Sequence, residues 1–376
     1  MKRIIILFLI ISIALLSGCW DMEEINNRSY VSVIGMDLNN KGDNGEKFKV
    51  TYSYPNINAL GKNPSSEQNR FIETTSASTA YEATRKLSTS TDKPLFFKNL
   101  KTLVIGEELF KEKELVKEIL DGLGREQRIN RKINILLAEG KAEDILKITP
   151  EKETASAVGT YLSDILRNDK ITGRFTARTL SQVLADTDIS DAALVPKIKI
   201  EKKDLEISGG GIIKDYKLIG KIGEMENICI AMMNGDFNSD VIEATYNDTH
   251  ISYAVTIFSS SKRVYVEGGK IIADIDLNIE GYLQQYKLDK ELQAFDEKFL
   301  QGAEKSLEDR IKRETLNTIE LLQKKYNADV IGIGEWISKF KPSLWKEIKD
   351  NYDEVFPNIE IRVNPTVEIR RTGLSR

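Results

Sequence analysis

An alternating segment followed by a long helical pattern is the feature that most limits the folds open to this chain. Between residues 270 and 280 apolar and polar side chains alternate, so the apolar ones share one face of a strand. Over residues 288–326 apolar side chains recur three or four positions apart, which is the spacing of one helix face. A strand and a helix that each have one apolar face predict a sheet covered by that helix. The helix positions are Leu288, Leu292, Phe295, Phe299, Ala303, Leu307, Ile311, Ile319, Leu322 and Tyr326.

The N-terminal half predicts a mixed α/β layer. Residues 29–38 and 48–54 are rich in β-branched and apolar side chains and flank a turn-forming cluster, so we expect a hairpin. Short buried strands are expected at 100–106 and 133–138, with helices at 78–87 and 109–120 and an exposed loop at 56–70.

The rest of the chain predicts further domains. Helices at 155–166 and 177–184, a polar break at 186–190 and a strand at 197–207 form a middle region. The run Ser208-Gly209-Gly210-Gly211 is the predicted domain boundary, and a hairpin is expected at 211–222. Pro365 predicts that the last strand, 359–369, is bent or lies at a sheet edge. We therefore predict a multi-domain α+β fold of mixed sheets packed with helices. Its parts are an N-terminal α/β domain at 19–150, a middle region at 151–207 and a largely antiparallel C-terminal domain with one long helix at 208–376.

The first 19 residues predict a bacterial lipoprotein. Lys2 and Arg3 precede an apolar run of 13 residues, which is short for a membrane span and typical of a signal peptide. Leu16-Ser17-Gly18-Cys19 follows as a lipobox, in which the first three residues are read by a signal peptidase. The Cys19 thiol then receives a diacylglyceryl group. Two acyl chains suffice for stable attachment, so the membrane is an expected partner through the N-terminal lipid.

Removal of residues 1–18 alters the charge and the cysteine count. The net charge falls from −4 to −6, and Cys229 is left without a disulfide partner. With one His in the chain, a His-based zinc centre or hydrolase is improbable, and the net charge argues against nucleic acid as a partner. We predict no catalytic residue, no metal site and no cofactor.

Four groups of residues could carry chemistry, but each also has a structural interpretation. His250 is a lone histidine and is interpreted as structural. Asp274 and Asp276 share a strand face but lack a calcium-binding loop, so a solvated sheet face is expected. Glycines 209–211 lack the Lys-Ser/Thr of a phosphate loop and favour a linker or bulge. The basic cluster of Arg125, Arg128 and Arg131 is interrupted by Glu126, which favours an interaction surface or a salt-bridged turn.

Several segments in order resemble the Ger(x)C family, the C subunits of spore nutrient germinant receptors. The mature start, CWDMEEI at 19–25, and VSVIGMD at 31–37 resemble the family's N-terminus. Met36 stands where the family often has Ile, and Asn99 replaces an expected His. The other similar segments are LKTLVIGEEL at 100–109, REQRINR at 125–131, AEGKA at 138–142, residues 329–336 and 345–357, and VEIRRTGL at 367–374.

The resemblance implies a lipid-anchored protein on the outer face of the spore inner membrane. It also implies an A subunit and a multi-pass, transporter-like B subunit as partners, and it leaves open whether this chain contacts the nutrient. The implied function is a non-catalytic subunit needed for assembly or signalling in nutrient-triggered germination. The alternative is a solute-binding lipoprotein of a transporter, which has the same kind of N-terminus but two lobes with parallel sheets.

Overall fold

The computed structural model of the chain describes residues 27–40, 45–56, 70–148, 158–286 and 297–371. The predicted lipobox, Leu16 to Cys19, lies outside these residues. Two large sheets, a separate pair of short strands and the helices packed on the sheets make up the described part, in agreement with the predicted α+β class. Within it, no helix combines the length and the apolar character needed to cross a membrane.

The larger sheet has eight strands in the order β10-β9-β8-β7-β6-β2-β3-β4. Its centre, β2, β6, β7 and β8, is parallel, and antiparallel hairpins extend it at both ends. A separate parallel pair joins β1, Ser29–Tyr30, to β5, Leu95–Phe96. The strands of the larger sheet are β2 Val33–Leu38, β3 Phe48–Pro55, β4 Arg70–Ala77, β6 Thr102–Gly106, β7 Asn134–Ala138, β8 Ala192–Glu201, β9 Asp204–Lys214 and β10 Lys217–Ile222.

Helices cover both faces of the parallel centre, which explains why its strands are apolar throughout. Every residue of β6 is buried, as expected for a parallel strand between two helical layers. Leu103 and Ile105 face one layer, and Val104 faces the other. The helices are α1 Ala80–Leu87, α2 Glu107–Phe110, α3 Lys113–Arg125, α4 Ala142–Lys147, α5 Val158–Leu166, α6 Leu180–Ser190, α7 Glu224–Asn234, α8 Glu297–Glu320, α9 Ile333–Phe340, α10 Pro342–Ile348 and α11 Tyr352–Val355.

The smaller sheet has four strands in the order β11-β12-β13-β14. It is antiparallel except for the parallel β13–β14 pair, so the predicted largely antiparallel C-terminal sheet is confirmed. Pro365 lies on the edge strand β14, where a missing backbone donor is tolerated, as predicted. The strands are β11 Val241–Tyr246, β12 Thr249–Glu267, β13 Lys270–Tyr286 and β14 Glu360–Arg371.

The predicted long helix is confirmed as α8. It continues as a π-helical turn, Leu321–Tyr326, and ends at Asn327 in the left-handed conformation. Its buried stripe includes Ala303, Leu307 and Ile311, which pack in one core with the alternating apolar residues of β13. The predicted positions Leu288, Leu292 and Phe295 lie outside the described residues.

Helix α7 joins the two sheets into one core. All residues from Asn227 to Met233 are buried, and they pack in a single cluster with Leu194 and Ile212 of the larger sheet and with residues of the smaller one. This helix was not predicted, because an apolar run buried on all sides has no amphipathic period.

Three local predictions were wrong. Residues 197–207 form a hairpin rather than one strand, because Lys202 and Lys203 both adopt positive φ and reverse the chain between β8 and β9. Residues 186–190 continue helix α6 to Ser190 instead of breaking it. Residue 70 begins strand β4 rather than ending an exposed loop, and residues 57–69 lie outside the described part.

The glycine run at 208–211 lies inside strand β9 and is not a linker. The register with β8 shifts beside it, so that Ser208 and Gly209 oppose Lys197, as in the predicted bulge. Gly210 pairs with Pro196 of β8, and Gly211 with Val195. A Cβ on Gly210 would approach Leu194 Cδ1 to 2.7 Å, so the glycines allow close packing within the sheet. The predicted division at 19–150, 151–207 and 208–376 stays a prediction.

Candidate functional site

Three of the family-like segments meet at one end of the parallel strands. The carboxylate of Asp37, at the end of β2, accepts hydrogen bonds from the backbone N–H groups of Ala142 at 2.7 Å and Glu143 at 2.9 Å. These groups form the N-terminus of α4, where a negative charge is favourable. Gly106 contacts the same carboxylate so closely that any Cβ would clash with Asp37. The motifs around residues 37, 106 and 142 therefore serve the fold.

A second buried carboxylate organises the C-terminal segment. Asp329 accepts hydrogen bonds from the N–H groups of Ile333 at 3.1 Å and Gly334 at 2.6 Å, at the start of α9. The Tyr352 hydroxyl donates to it at 2.7 Å. Asp329 thereby fixes α9 against α11.

The isolated candidates for chemistry lie in structural contacts. The side chain of His250 is 57% exposed and lies 3.8 Å from Glu243. Asp274 accepts from the Tyr265 hydroxyl at 3.0 Å, and Asp276 accepts from Asn364 at 3.0 Å. Across the described ranges, no three His, Cys, Asp or Glu side chains gather as a metal site would require.

Cys229 lies in the core between α7 and α8. Burial raises the pKa of its thiol to about 11, so it is protonated at neutral pH. A buried protonated thiol is a poor nucleophile.

The predicted arginine cluster is a salt-bridged turn at the end of α3. Arg125 pairs with Asp121 at 3.0 Å, and Arg128 pairs with Glu126 at 2.9 Å. The Tyr81 hydroxyl of α1 donates to Glu126 at 2.6 Å. The Arg128 guanidinium and this hydroxyl lower the pKa of Glu126 to about 2, so its carboxylate is charged at neutral pH. Arg131 is exposed.

This turn stands at the mouth of a cavity of about 630 Å³ between α1, α3 and the larger sheet. Met36, Val50 and Leu103 form its apolar floor. Inside, the Tyr52 hydroxyl lies 3.1 Å from Thr84 Oγ1, and burial raises the pKa of Tyr52 to about 12. The sequence patterns did not predict this cavity. The sequence feature that could have indicated it is Gly122, a glycine in the interior of helix α3.

A buried polar group also lies at the junction of the two sheets. Burial raises the pKa of Asp186, in α6, to about 6. The positive charge of Arg178 lowers this pKa. The negative charges of Glu335, Asp236 and Asp329 raise it further. Arg178 pairs with Asp236 at 3.1 Å. No sequence pattern indicated these contacts, since the partners come from separate segments.

Comparison with known families covers nearly the whole described chain. Residues 21–200 match the family described as spore germination protein N-terminal domain. Residues 208–373 match the family described as spore germination B3/GerAC like, C-terminal.

Two relatives from Bacillus subtilis (strain 168) match along almost their full length. Spore germination protein B3 is 22% identical over 365 residues, covering 95% of each chain. Spore germination protein A3 is 27% identical over 375 residues, covering 99% of this chain and 98% of the relative.

A solved structure, titled the crystal structure of the GerBC protein, shares the fold. The TM-score is 0.58 at 19% identity, and the likeness covers 93% of this chain and 100% of the other.

Proposed function

The chain belongs to the Ger(x)C family of spore germination proteins, and from this membership we propose that it is the C subunit of a nutrient germinant receptor. Its role is to support assembly or signalling of the receptor when nutrients trigger germination, together with an A subunit and a multi-pass B subunit. The observation that carries the proposal is the match of both family domains, in order, from residue 21 to residue 373.

The lipid on Cys19 is the mechanistic basis of this proposal. It holds the chain on the outer face of the spore inner membrane and restricts its diffusion to the plane in which the other subunits lie. Such tethering raises the effective concentration of the subunits toward one another without any further contact. The lipobox of residues 16–19 supports this part of the proposal.

We also propose that the chain has no catalytic activity of its own. Cys229 is protonated and buried, and the exposed side chain of His250, on the inner strand β12, lies beside a single carboxylate. These two positions therefore lack the nucleophile and base arrangement that acyl transfer needs.

The anchor is tested with two cysteine variants. Cys19→Ala should lose both labelling by an alkyne fatty acid and recovery in the membrane fraction, and spores carrying it should germinate more slowly on nutrients. Cys229→Ala is the matched control, since it removes a thiol that cannot be acylated in the core; it should keep the label and the membrane location. An intact, unmodified N-terminus in the wild-type protein by mass spectrometry would sink the lipid anchor.

The receptor role is tested separately by the choice of germination stimulus. Spores lacking this chain should fail to respond to the nutrients of its receptor and should still germinate with a stimulus that bypasses nutrient receptors. Normal responses to every nutrient tried, in spores without this and related chains, would contradict the receptor role.

A further inference from the structure

The cavity between α1 and α3 has the size of a small-molecule site and is open to solvent on one side. Its volume of about 630 Å³ lies within the ~300–1,000 Å³ range usual for ligand sites. The floor comes from strands β2, β3 and β6, and the two helices form the walls.

The chemistry of the interior is apolar with one polar point. Met36, Val50 and Leu103 offer no hydrogen-bonding side chain and lie almost fully buried at the bottom of the cavity, as does Tyr52. The half-buried Thr84 hydroxyl, 3.1 Å from that of Tyr52, is a polar group that a ligand can reach. A ligand would therefore gain affinity mainly from burial of apolar surface, with one hydrogen bond available to orient it.

The mouth is narrowed by a bridge between its two sides. The Tyr81 hydroxyl, from α1, donates to Glu126, the residue that follows α3. Arg128 neutralises that carboxylate, and Arg125 neutralises Asp121 on the same rim. Arg85 and Glu118, of opposite charge, also line the cavity, so the rim has no large excess of one sign. A bridged opening of this kind suits a small uncharged molecule better than a helix from another protein.

Gly122 is the residue that leaves the space open. It lies in the interior of α3, on the same face as Ile119 and Glu126, and all three line the cavity. A Cβ on Gly122 would meet nothing within 4 Å. Glycine in a helix interior is destabilising relative to alanine, so this position keeps a cavity at the expense of helix stability.

We propose that this cavity is a binding site for a small, largely apolar, uncharged molecule that forms one hydrogen bond with the Thr84 hydroxyl. The proposal concerns the larger sheet alone and does not rest on the germination role.

The test uses two substitutions at one position in the mature chain, residues 19–376, with Cys19→Ser to keep it free of lipid. The probe is N-phenyl-1-naphthylamine, an uncharged aromatic molecule that fluoresces when it leaves water. It should bind saturably at one site, and its Kd should change little as salt is raised to about 0.5 M, because no charge is paired.

Gly122→Ala should leave the Kd of the probe within about twofold and raise the urea midpoint of unfolding. Gly122→Leu should also raise the midpoint, since its side chain enters empty space, but should weaken probe binding at least about tenfold, which corresponds to ~1.4 kcal/mol. The alanine variant therefore controls for the change in helix stability.

Three results would overturn the proposal. One is the absence of saturable binding by the wild-type chain. Another is a Gly122→Leu variant that binds the probe as the wild type does. The third is a Gly122→Leu midpoint below that of the wild type, because the side chain would then be meeting packed protein rather than a cavity.

Discussion

Asp37 connects β2, β6 and α4, and it does so with a charged group in the interior. Burial raises the pKa of its carboxyl group, and the two backbone N–H groups of α4 act in the opposite direction. A buried carboxylate is tolerated when donors surround it, so the sequence around residues 37, 106 and 142 is constrained by one shared contact.

We predict that Asp37→Ala lowers the free energy of unfolding by about 1–3 kcal/mol, because two buried N–H groups lose their acceptor. Urea unfolding measures the change. Asp274→Ala, on the partly exposed outer face of the smaller sheet, is the control and should change stability by less than ~0.5 kcal/mol. Equal effects of the two substitutions would contradict the role given to Asp37.

Asp186 makes stability depend on pH in a defined direction. Its folded pKa of about 6 is above its ordinary value of 3.8, so between these values the folded protein holds a proton that the unfolded chain has released. Unfolding therefore releases a proton, and the contribution of this group to stability falls as pH rises from about 4 to about 6.

Asp186→Asn should remove this part of the pH dependence and raise stability at pH 7 by about 1–2 kcal/mol, since an uncharged amide avoids desolvation of the carboxylate. The free energies of unfolding of the wild type and Asp186→Asn are measured with urea at pH 4.5 and pH 7. If the wild type and the variant keep a constant difference at both pH values, Asp186 does not titrate in this window.

The N-terminus of helix α6 is stabilised by a capping box. Thr179 accepts a hydrogen bond from the N–H of Gln182, whose side-chain oxygen accepts in return from the N–H of Thr179. This capping box holds the start of the helix that carries Asp186.

Thr179→Ala should destabilise the protein by about 1 kcal/mol through loss of the cap. Asp188→Ala, exposed on the same helix and far from the cap, should have a much smaller effect. Calorimetric or urea unfolding of the two variants checks this, and a change below ~0.3 kcal/mol for Thr179→Ala would show that packing alone holds the helix.

Elements with a clear period could be predicted from the sequence. Their apolar residues lie on one face or fill the whole segment, and such patterns can be recognised from local sequence. These elements are the hairpin of β2 and β3, the buried strands β6 and β7, the alternating strand β13 and the apolar stripe of α8. Pro365 also predicted an edge strand correctly.

Elements defined by distant contacts could not be predicted. Helix α7 is buried between two sheets and so has no polar face. The turn at Lys202 and Lys203 contains neither glycine nor asparagine, and its positive φ values are imposed by the strand pairing on both sides. The cavity depends on the distance between α1 and α3, and only Gly122 hints at it.

At the scale of the whole molecule, we propose a scaffold that is tethered to the membrane. Its two larger sheets share a core through α7, and charged side chains on its outer faces form cross-strand pairs such as Arg370 with Glu280 at 3.0 Å. A body with such a shared core, held by the proposed lipid at Cys19, suits a subunit that works through contact with other membrane proteins.

The central claim is that this chain is part of a germinant receptor, and the most direct measurement is the composition of the complex that contains it. The chain, carrying a C-terminal affinity tag, is purified from the inner membrane of dormant spores, and the proteins recovered with it are identified by mass spectrometry. We expect an A subunit and a multi-pass, transporter-like B subunit to be recovered with the wild type and to be strongly reduced with Cys19→Ala. Recovery of ATP-binding-cassette transporter components instead, or of the chain alone, would contradict the account.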